Sequence, residues 1–115
     1  MTKANRCWRH ICRLEEILEG TGVCAKVEGR QVAVFRLEGK LYALSNYDPF
    51  TRANVLSRGI LGNRGERRYV ASPLLKHRFD LETGECLDDA QVCIPTYAVR
   101  CERGEVWVGL LGRER

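Results

Sequence analysis

The chain has 115 residues, the size of one domain over residues 1–115, and 30% of them are charged, with a net charge of +4. It contains no run of about 18 apolar residues, as a membrane helix needs, and its start is too polar for a secretory signal. These features predict a cytoplasmic protein, and the small basic excess without a nucleic-acid-binding motif argues against DNA or RNA as a partner.

Short runs of alternating apolar and polar residues, separated by glycine turns, predict an all-β protein. In chain order, the predicted elements are a strand over Cys7 to Arg13, a helical turn over Leu14 to Leu18, strands over Val23 to Val27, Gln31 to Leu37 and Lys40 to Ser45, and a hairpin from Tyr97 to Leu110. Turns are expected at Glu28-Gly29 and Glu38-Gly39, since glycine adopts positive φ readily. Residues 46–84 lie between the two β blocks as an insertion.

Six cysteines raise the question of disulfides or metal binding. They are Cys7, Cys12, Cys24, Cys86, Cys93 and Cys101, and no two of them form a C-x-x-C pair. This spacing favours free thiols over both alternatives. Cys24 and Cys101 are expected to be buried in strands, because Cys24 lies between Val23 and Ala25 and Cys101 continues the apolar alternation of Tyr97 and Val99.

The insertion carries two loop motifs, Asp48-Pro49-Phe50 and Ser72-Pro73-Leu74-Leu75, the second followed by Phe79-Asp80 and Thr83-Gly84. The pattern resembles a Rieske [2Fe-2S] site, in which C-P-H and C-P-x-H supply two thiolates and two imidazoles. By this resemblance the cysteine positions fall on Asp48 and Ser72, and the histidine positions on Phe50 and Leu75. None of the four side chains suits an iron-sulfur cluster, so no cluster is expected. Phe50, Leu74 and Leu75 are predicted to fill the volume as an apolar plug.

Further motifs, Trp8-Arg9-His10-Ile11-Cys12 and above all Val55-Leu56-Ser57-Arg58-Gly59-Ile60, extend the resemblance over about residues 8 to 108. Over this range the chain resembles the small subunit of cytoplasmic NAD(P)H-dependent nitrite reductase. The resemblance implies a Rieske-like antiparallel β-sandwich or barrel, with a small loop subdomain over residues 46–84 at the degenerate cluster site.

For function, the resemblance implies a reductase that converts nitrite to ammonium in nitrate assimilation. FAD, a [4Fe-4S] cluster and siroheme are expected in its large subunit, which is the implied partner of this chain. The chain itself is expected to carry no cofactor and no catalytic residue, and to support or regulate the large subunit.

Other functions are disfavoured by specific features of the sequence. A Rieske-type ferredoxin, the electron carrier of an oxygenase system, requires the cluster, and the missing ligands argue against it. A stand-alone binding module is disfavoured by the motif at residues 55–60. A hydrolase built from Ser72, His77 and Asp80 lacks a nucleophile-elbow motif, and the glycines form no phosphate-binding motif. His10 and His77 are therefore expected to be structural.

Charge is distributed unevenly along the chain. Residues 45–79 hold seven basic side chains against Asp48 and Glu66, whereas the rest of the chain holds 12 basic and 13 acidic residues. This excess is either a solvated loop surface or a docking surface for an acidic partner. The second interpretation leads to the hypothesis that the large subunit contacts Asp48, Pro49, Phe50, Arg58 and Arg67.

Overall fold

A six-stranded antiparallel sheet forms the scaffold of the computed structural model, which describes residues 6–111. The strands are β1 Arg6–Arg13, β2 Thr21–Val27, β3 Arg30–Leu37, β4 Lys40–Ser45, β5 Tyr47–Asp48, β6 Ala53–Asn54, β7 Ile60–Arg64, β8 Arg67–Ala71, β9 Arg78–Asp80, β10 Thr96–Glu102 and β11 Glu105–Leu111, with 3-10 helices at Leu14–Glu16 and Leu56–Arg58. The sheet order is β1-β11-β10-β4-β3-β2. It curls so that Arg9 on edge strand β1 meets Glu28 beside edge strand β2 in an ion pair of 2.5 Å. The predicted all-β fold is confirmed.

Tight turns join β2 to β3, β3 to β4, and β10 to β11. In the first of them both central residues are left-handed, with φ of 52° at Glu28 and 81° at Gly29. The turn at Glu38-Gly39 has the same form, as does the turn at Arg103-Gly104. Such turns match the right-handed twist of the strands that they connect. The first two turns lie where the sequence predicts them, although a non-glycine residue also takes positive φ in each.

Strand β3 lies between two hydrophobic cores, which explains its unbroken apolar run from Val32 to Phe35. Ala33 and Phe35 face a core shared with the insertion, and Val32 and Val34 face a second core. All four residues have no exposed surface. A strand buried on both faces has no position for a polar residue, so its sequence shows no alternation.

The insertion begins after β4 and continues until β10, over residues 46–95, so it ends later than the predicted residue 84. It contains the two-stranded sheet β5-β6 and the three-stranded sheet β7-β8-β9. Its last part folds back along the chain through antiparallel bridges between Phe79 and Cys86 and between Glu85 and Cys93. Among residues 6–111, no helix has both the length and the apolar character that crossing a bilayer requires.

All six cysteines are free thiols, as predicted. The expected burial of Cys24 and Cys101 is wrong, because both are exposed. Cys24 lies on β2, an edge strand that pairs only with β3. Cys101 lies where β10 has separated from β4, since only Thr96 and Tyr97 of β10 pair with that strand. Sheet edges leave side chains exposed even within an apolar segment.

Candidate functional site

The two loops of the degenerate motif have the same backbone form. In the first loop the Arg52 N–H donates to the Asp48 carbonyl oxygen at 2.7 Å, and in the second the Lys76 N–H donates to the Ser72 carbonyl oxygen at 3.1 Å. Each loop therefore closes over five residues and ends on a residue in the left-handed region, with φ of 60° at Arg52 and 70° at Lys76. Both loops are therefore short and tightly closed.

A buried hydrogen bond joins the bases of the two loops. Ser72 Oγ donates to Asp48 Oδ2 at 2.5 Å, and the other carboxylate oxygen accepts from the Phe50 N–H at 2.9 Å. Neither Asp48 nor Ser72 has exposed surface. A buried carboxylate is costly unless it is hydrogen-bonded, so these donors explain how Asp48 is tolerated at this position. The two residues at the cysteine positions therefore bind each other.

Aromatic stacking joins the loops a second time. The Phe50 and His77 rings stack with centroids 3.7 Å apart and an interplanar angle of 8°. Phe79 lies at a tilt behind Phe50, at a centroid distance of 6.2 Å. The stack connects the apex of the first loop to the end of the second, so the hydrogen bond and the stack together hold both loops in one arrangement.

The predicted apolar plug is only partly present. Phe50 packs against the core, but Leu74 and Leu75 are 55% and 58% exposed. The side chain that covers Phe50 is His77, which the sequence analysis did not assign to the site. His77 and Phe79 are two residues apart on an extended segment and share one face, and this period of two is the signal that could have identified His77.

Because Phe50 is stacked and Leu75 is exposed, truncation of each to alanine should change the stability of the chain by a different amount. Phe50→Ala removes a half-buried ring from the stack and should lower the free energy of unfolding by about 2–3 kcal/mol. Leu75→Ala removes an exposed side chain and should change it by no more than about 0.5 kcal/mol. Urea denaturation followed by tryptophan fluorescence measures both values. Equal losses of unfolding free energy in the two variants would mean that Leu75 is buried with Phe50, as the apolar plug requires.

The residues proposed to contact a partner are not all accessible. Pro49 and Arg58 are exposed and Phe50 is half-buried. Asp48 is fully buried, so the prediction that it lies on a contact surface is wrong. The sequence suggested exposure because Asp-Pro usually opens a surface turn, whereas here the carboxylate points inward to Ser72.

Arg67 is engaged within the chain. Its guanidinium donates to Asp80 at 2.7 Å and to Glu85 at 2.6 Å. Burial opposes ionisation of Asp80, but hydrogen bonds from Arg67 and from the Thr83 and Glu82 backbone hold the pKa of Asp80 below its usual value. Reversal of Arg67 to Glu would place three carboxylates together, so that variant would test folding instead of partner binding.

Other cations of the insertion are paired in the same way. Arg68 donates to Glu38 at 2.7 Å, and Arg78 donates to Asp88 at 2.6 Å, which lowers the pKa of Asp88 to about 2. Residues 45–79 carry the basic excess, but the insertion as the structure bounds it, residues 46–95, holds seven basic and seven acidic side chains and so has no net charge. Five of these acidic residues follow position 79, and three of the five, Asp80, Glu85 and Asp88, pair with Arg67 or Arg78. Within the described chain, four cations of the insertion form no ion pair: Arg52, Arg58, Arg64 and Lys76.

The site contains no hydrolytic triad. Ser72 is bonded to Asp48, Asp80 is bonded to Arg67, and the His77 ring is stacked on Phe50. His77 Nδ1 is buried without a hydrogen-bond partner. His77 therefore has no oriented contact to a nucleophile or to a carboxylate, as base catalysis requires.

Comparison with known proteins identifies the family. The model of the Rieske-like [2Fe-2S] domain family matches residues 7–109. The nitrite reductase (NADH) small subunit of Salmonella typhimurium is 46% identical over 101 residues, which cover 86% of this chain and 94% of that protein. The chain belongs to the Rieske-like nitrite reductase small subunits.

Two further comparisons agree with this family. The NMR structure of the Escherichia coli protein NirD has a TM-score of 0.87 and 40% identity, covering 95% of this chain and 100% of that one. A part of the nitrite reductase NAD(P)H large subunit of Klebsiella oxytoca is 42% identical over 105 residues, which is 91% of this chain and 11% of that protein. The sequence of this chain is therefore also similar to a segment of a much longer reductase chain.

A ferredoxin is also similar to this chain, but less so. The ferredoxin component of the naphthalene 1,2-dioxygenase system of Pseudomonas putida is 34% identical over 109 residues, covering 90% of this chain and 95% of that protein. The higher identity to nitrite reductase small subunits supports that family over the ferredoxin alternative.

The ligand positions of this small-subunit family member do not fit the [2Fe-2S] cluster named in the description of the wider family. A Rieske cluster needs two thiolates and two imidazoles. Here a carboxylate and a hydroxyl bind each other, a phenyl ring lies in a stack, and Leu75 has no donor atom. Among the described residues, no three His, Cys, Asp or Glu side chains are grouped so that they could hold a metal. No electron-transfer step through these loops follows from their chemistry.

Proposed function

We propose that this chain is the small, cluster-free subunit of an NAD(P)H-dependent nitrite reductase, acting as one domain in the cytoplasm. Its role is to support or regulate the large subunit, in which FAD, a [4Fe-4S] cluster and siroheme would reduce nitrite to ammonium. The similarity to nitrite reductase small subunits supports the assignment to this enzyme.

One observation carries the cluster-free role. The buried bond between Asp48 and Ser72 occupies the two cysteine positions, and the stack between Phe50 and His77 joins the same two loops. In a Rieske protein the cluster itself links these loops through its four ligands. Here a hydrogen bond and a ring stack join the two loops, which supports an arrangement that does not depend on iron. A subunit that only binds its partner needs loops in a defined arrangement, but it does not need a redox centre.

The absence of a cluster is directly testable. We expect protein that is expressed and purified anaerobically in iron-rich medium to contain less than about 0.1 iron per chain, because none of the four ligand positions carries a thiolate or an imidazole. Iron and acid-labile sulfide analysis, with the visible spectrum, measures this. About two irons with equal sulfide per chain would contradict the proposal and support the ferredoxin alternative.

The subunit role has a separate test. The large subunit should show higher NAD(P)H-driven nitrite turnover with this chain than alone, and the two chains should co-elute in gel filtration. Turnover and elution that are unchanged by addition of this chain would contradict the role. Of the five residues predicted to contact the large subunit, we propose Pro49, Phe50 and Arg58. Asp48 is buried and Arg67 is paired with Asp80 and Glu85, so neither is available to a partner.

A further inference from the structure

Two consecutive leucines are exposed at the apex of the second loop. Leu74 and Leu75 are 55% and 58% exposed, and Pro49 is exposed at the apex of the first loop. The two apices lie side by side, since Ser72 bonds to Asp48 at one end of the second loop and His77 stacks on Phe50 at the other. Exposed apolar side chains grouped on an ordered surface are typical of a contact site.

Two cations flank this apolar surface. Arg52 ends the first loop and Lys76 ends the second, both are exposed, and residues 49–52 and 73–76 contain no acidic residue. The Lys76 ammonium lies 3.3 Å from the Pro73 carbonyl oxygen, over the loop. The acidic residues nearest in sequence are Asp48, which is buried and bonded to Ser72, and Asp80, which is paired with Arg67. The loop tip, defined as Pro49, Leu74, Leu75, Arg52 and Lys76, is therefore apolar at its centre and positive at its edges.

The backbone does not require these cations. Arg52 and Lys76 have positive φ, a region that glycine occupies with less strain than any L side chain. The backbone turn therefore needs neither side chain, and Lys76 adds only an exposed hydrogen bond to the Pro73 carbonyl oxygen at 3.3 Å. Unlike Arg67 and Arg78, neither cation forms an ion pair with the described residues.

We infer that the loop tip is the surface that docks onto the large subunit, in an apolar recess rimmed by acidic side chains. This inference rests on the proposed subunit role and specifies its contact. The leucines would be buried on docking and slow dissociation, and the two cations would steer association and make it depend on salt. A second copy of this chain is a poor occupant, because two tips would bring four cations together.

The test uses the full chain and purified large subunit, with association and dissociation rates measured at two ionic strengths. The double variant Leu74→Ser, Leu75→Ser should bind about 10- to 100-fold more weakly, mainly through faster dissociation. Lys76→Gly should associate about 3-fold more slowly at low salt and lose part of the salt dependence. Both variants should keep the parental urea midpoint or, for Lys76→Gly, exceed it.

Arg103→Gly is the matched control for Lys76→Gly. It removes the same charge at a residue with the same left-handed backbone, φ of 55°, but in the turn between β10 and β11. Its association rate should equal that of the parent protein. Equal slowing in both glycine variants would mean that net charge alone acts, and this outcome would overturn the role of Lys76.

The outcomes separate the inference from the proposed function. If the parent binds the large subunit and the double leucine variant binds equally well, the loop tip is not the contact surface, although the subunit role stands. If the parent does not bind, both are overturned. If the chain forms dimers that the leucine substitutions dissociate, the tip contacts a second copy and the inference is wrong.

Discussion

Ser72→Ala should destabilise the folded chain by about 3 kcal/mol. The substitution removes the hydroxyl that donates to Asp48 Oδ2 at 2.5 Å and leaves one oxygen of a fully buried carboxylate without a donor. An unsatisfied buried group costs about 1–3 kcal/mol when neutral and more when charged. Urea denaturation followed by tryptophan fluorescence gives the change in the free energy of unfolding.

A double-mutant cycle tests whether the cost arises from this pair. Asp48→Ala in the Ser72→Ala background should cost less than Asp48→Ala alone, by about 1–3 kcal/mol, since the two residues share one bond. Ser57→Ala is a suitable control. The hydrogen bond of Ser57 to Asn46 Oδ1 comes from the backbone N–H, so removal of the hydroxyl leaves it in place. Additive losses, or a Ser72→Ala variant as stable as the Ser57→Ala control, would show that the bond does not hold the loops.

Gly84→Ala should destabilise the chain by about 4 kcal/mol or more. Gly84 has φ of +82°, and a Cβ atom added there would lie 2.1 Å from the Ile94 carbonyl oxygen. Backbone atoms cannot move aside as a flexible side chain can, and here the Ile94 N–H also donates to the Gly84 carbonyl at 2.9 Å. The substitution therefore has to separate residues 80–84 from the segment that leads into β10.

Gly65→Ala separates the steric effect from the conformational one. Gly65 also has positive φ, at +63°, but no heavy atom lies within 4 Å of an added Cβ. Its substitution should cost only about 1 kcal/mol, which is the usual penalty for alanine in the left-handed region. Thermal or urea unfolding of the two variants compares them directly. Similar losses for both would mean that the approach of Ile94 to Gly84 relaxes at little cost.

Much of the scaffold could be predicted from the sequence because its signals are local. The turn at Glu28-Gly29 is marked by a glycine, which adopts positive φ readily, and the sequences of β10 and β11 show the period of two that strands have. Strand β3 was predicted from the glycine turns on either side of it, although the two cores that it contacts are visible only in the folded sheet. Exposure at sheet edges, as at Cys24, depends on which strands remain unpaired and is not a local property.

The chemistry at the four ligand positions was determined by the sequence alone, since Asp48, Phe50, Ser72 and Leu75 cannot supply two thiolates and two imidazoles wherever they point. Only the tertiary structure decided which side chains fill the site and which remain outside. His77 covers Phe50, and Leu75 does not. His77 and Phe79 lie two residues apart at strand β9, so their rings are on the same side of the chain and both contact Phe50. The balance of charge was likewise decided by folding, which brings Asp80 and Glu85 to Arg67 and leaves Arg52 and Lys76 unpaired at the loop tip within the described chain. Residue identity limits the possible chemistry, while side-chain burial and ion pairing depend on contacts between segments that are distant in sequence.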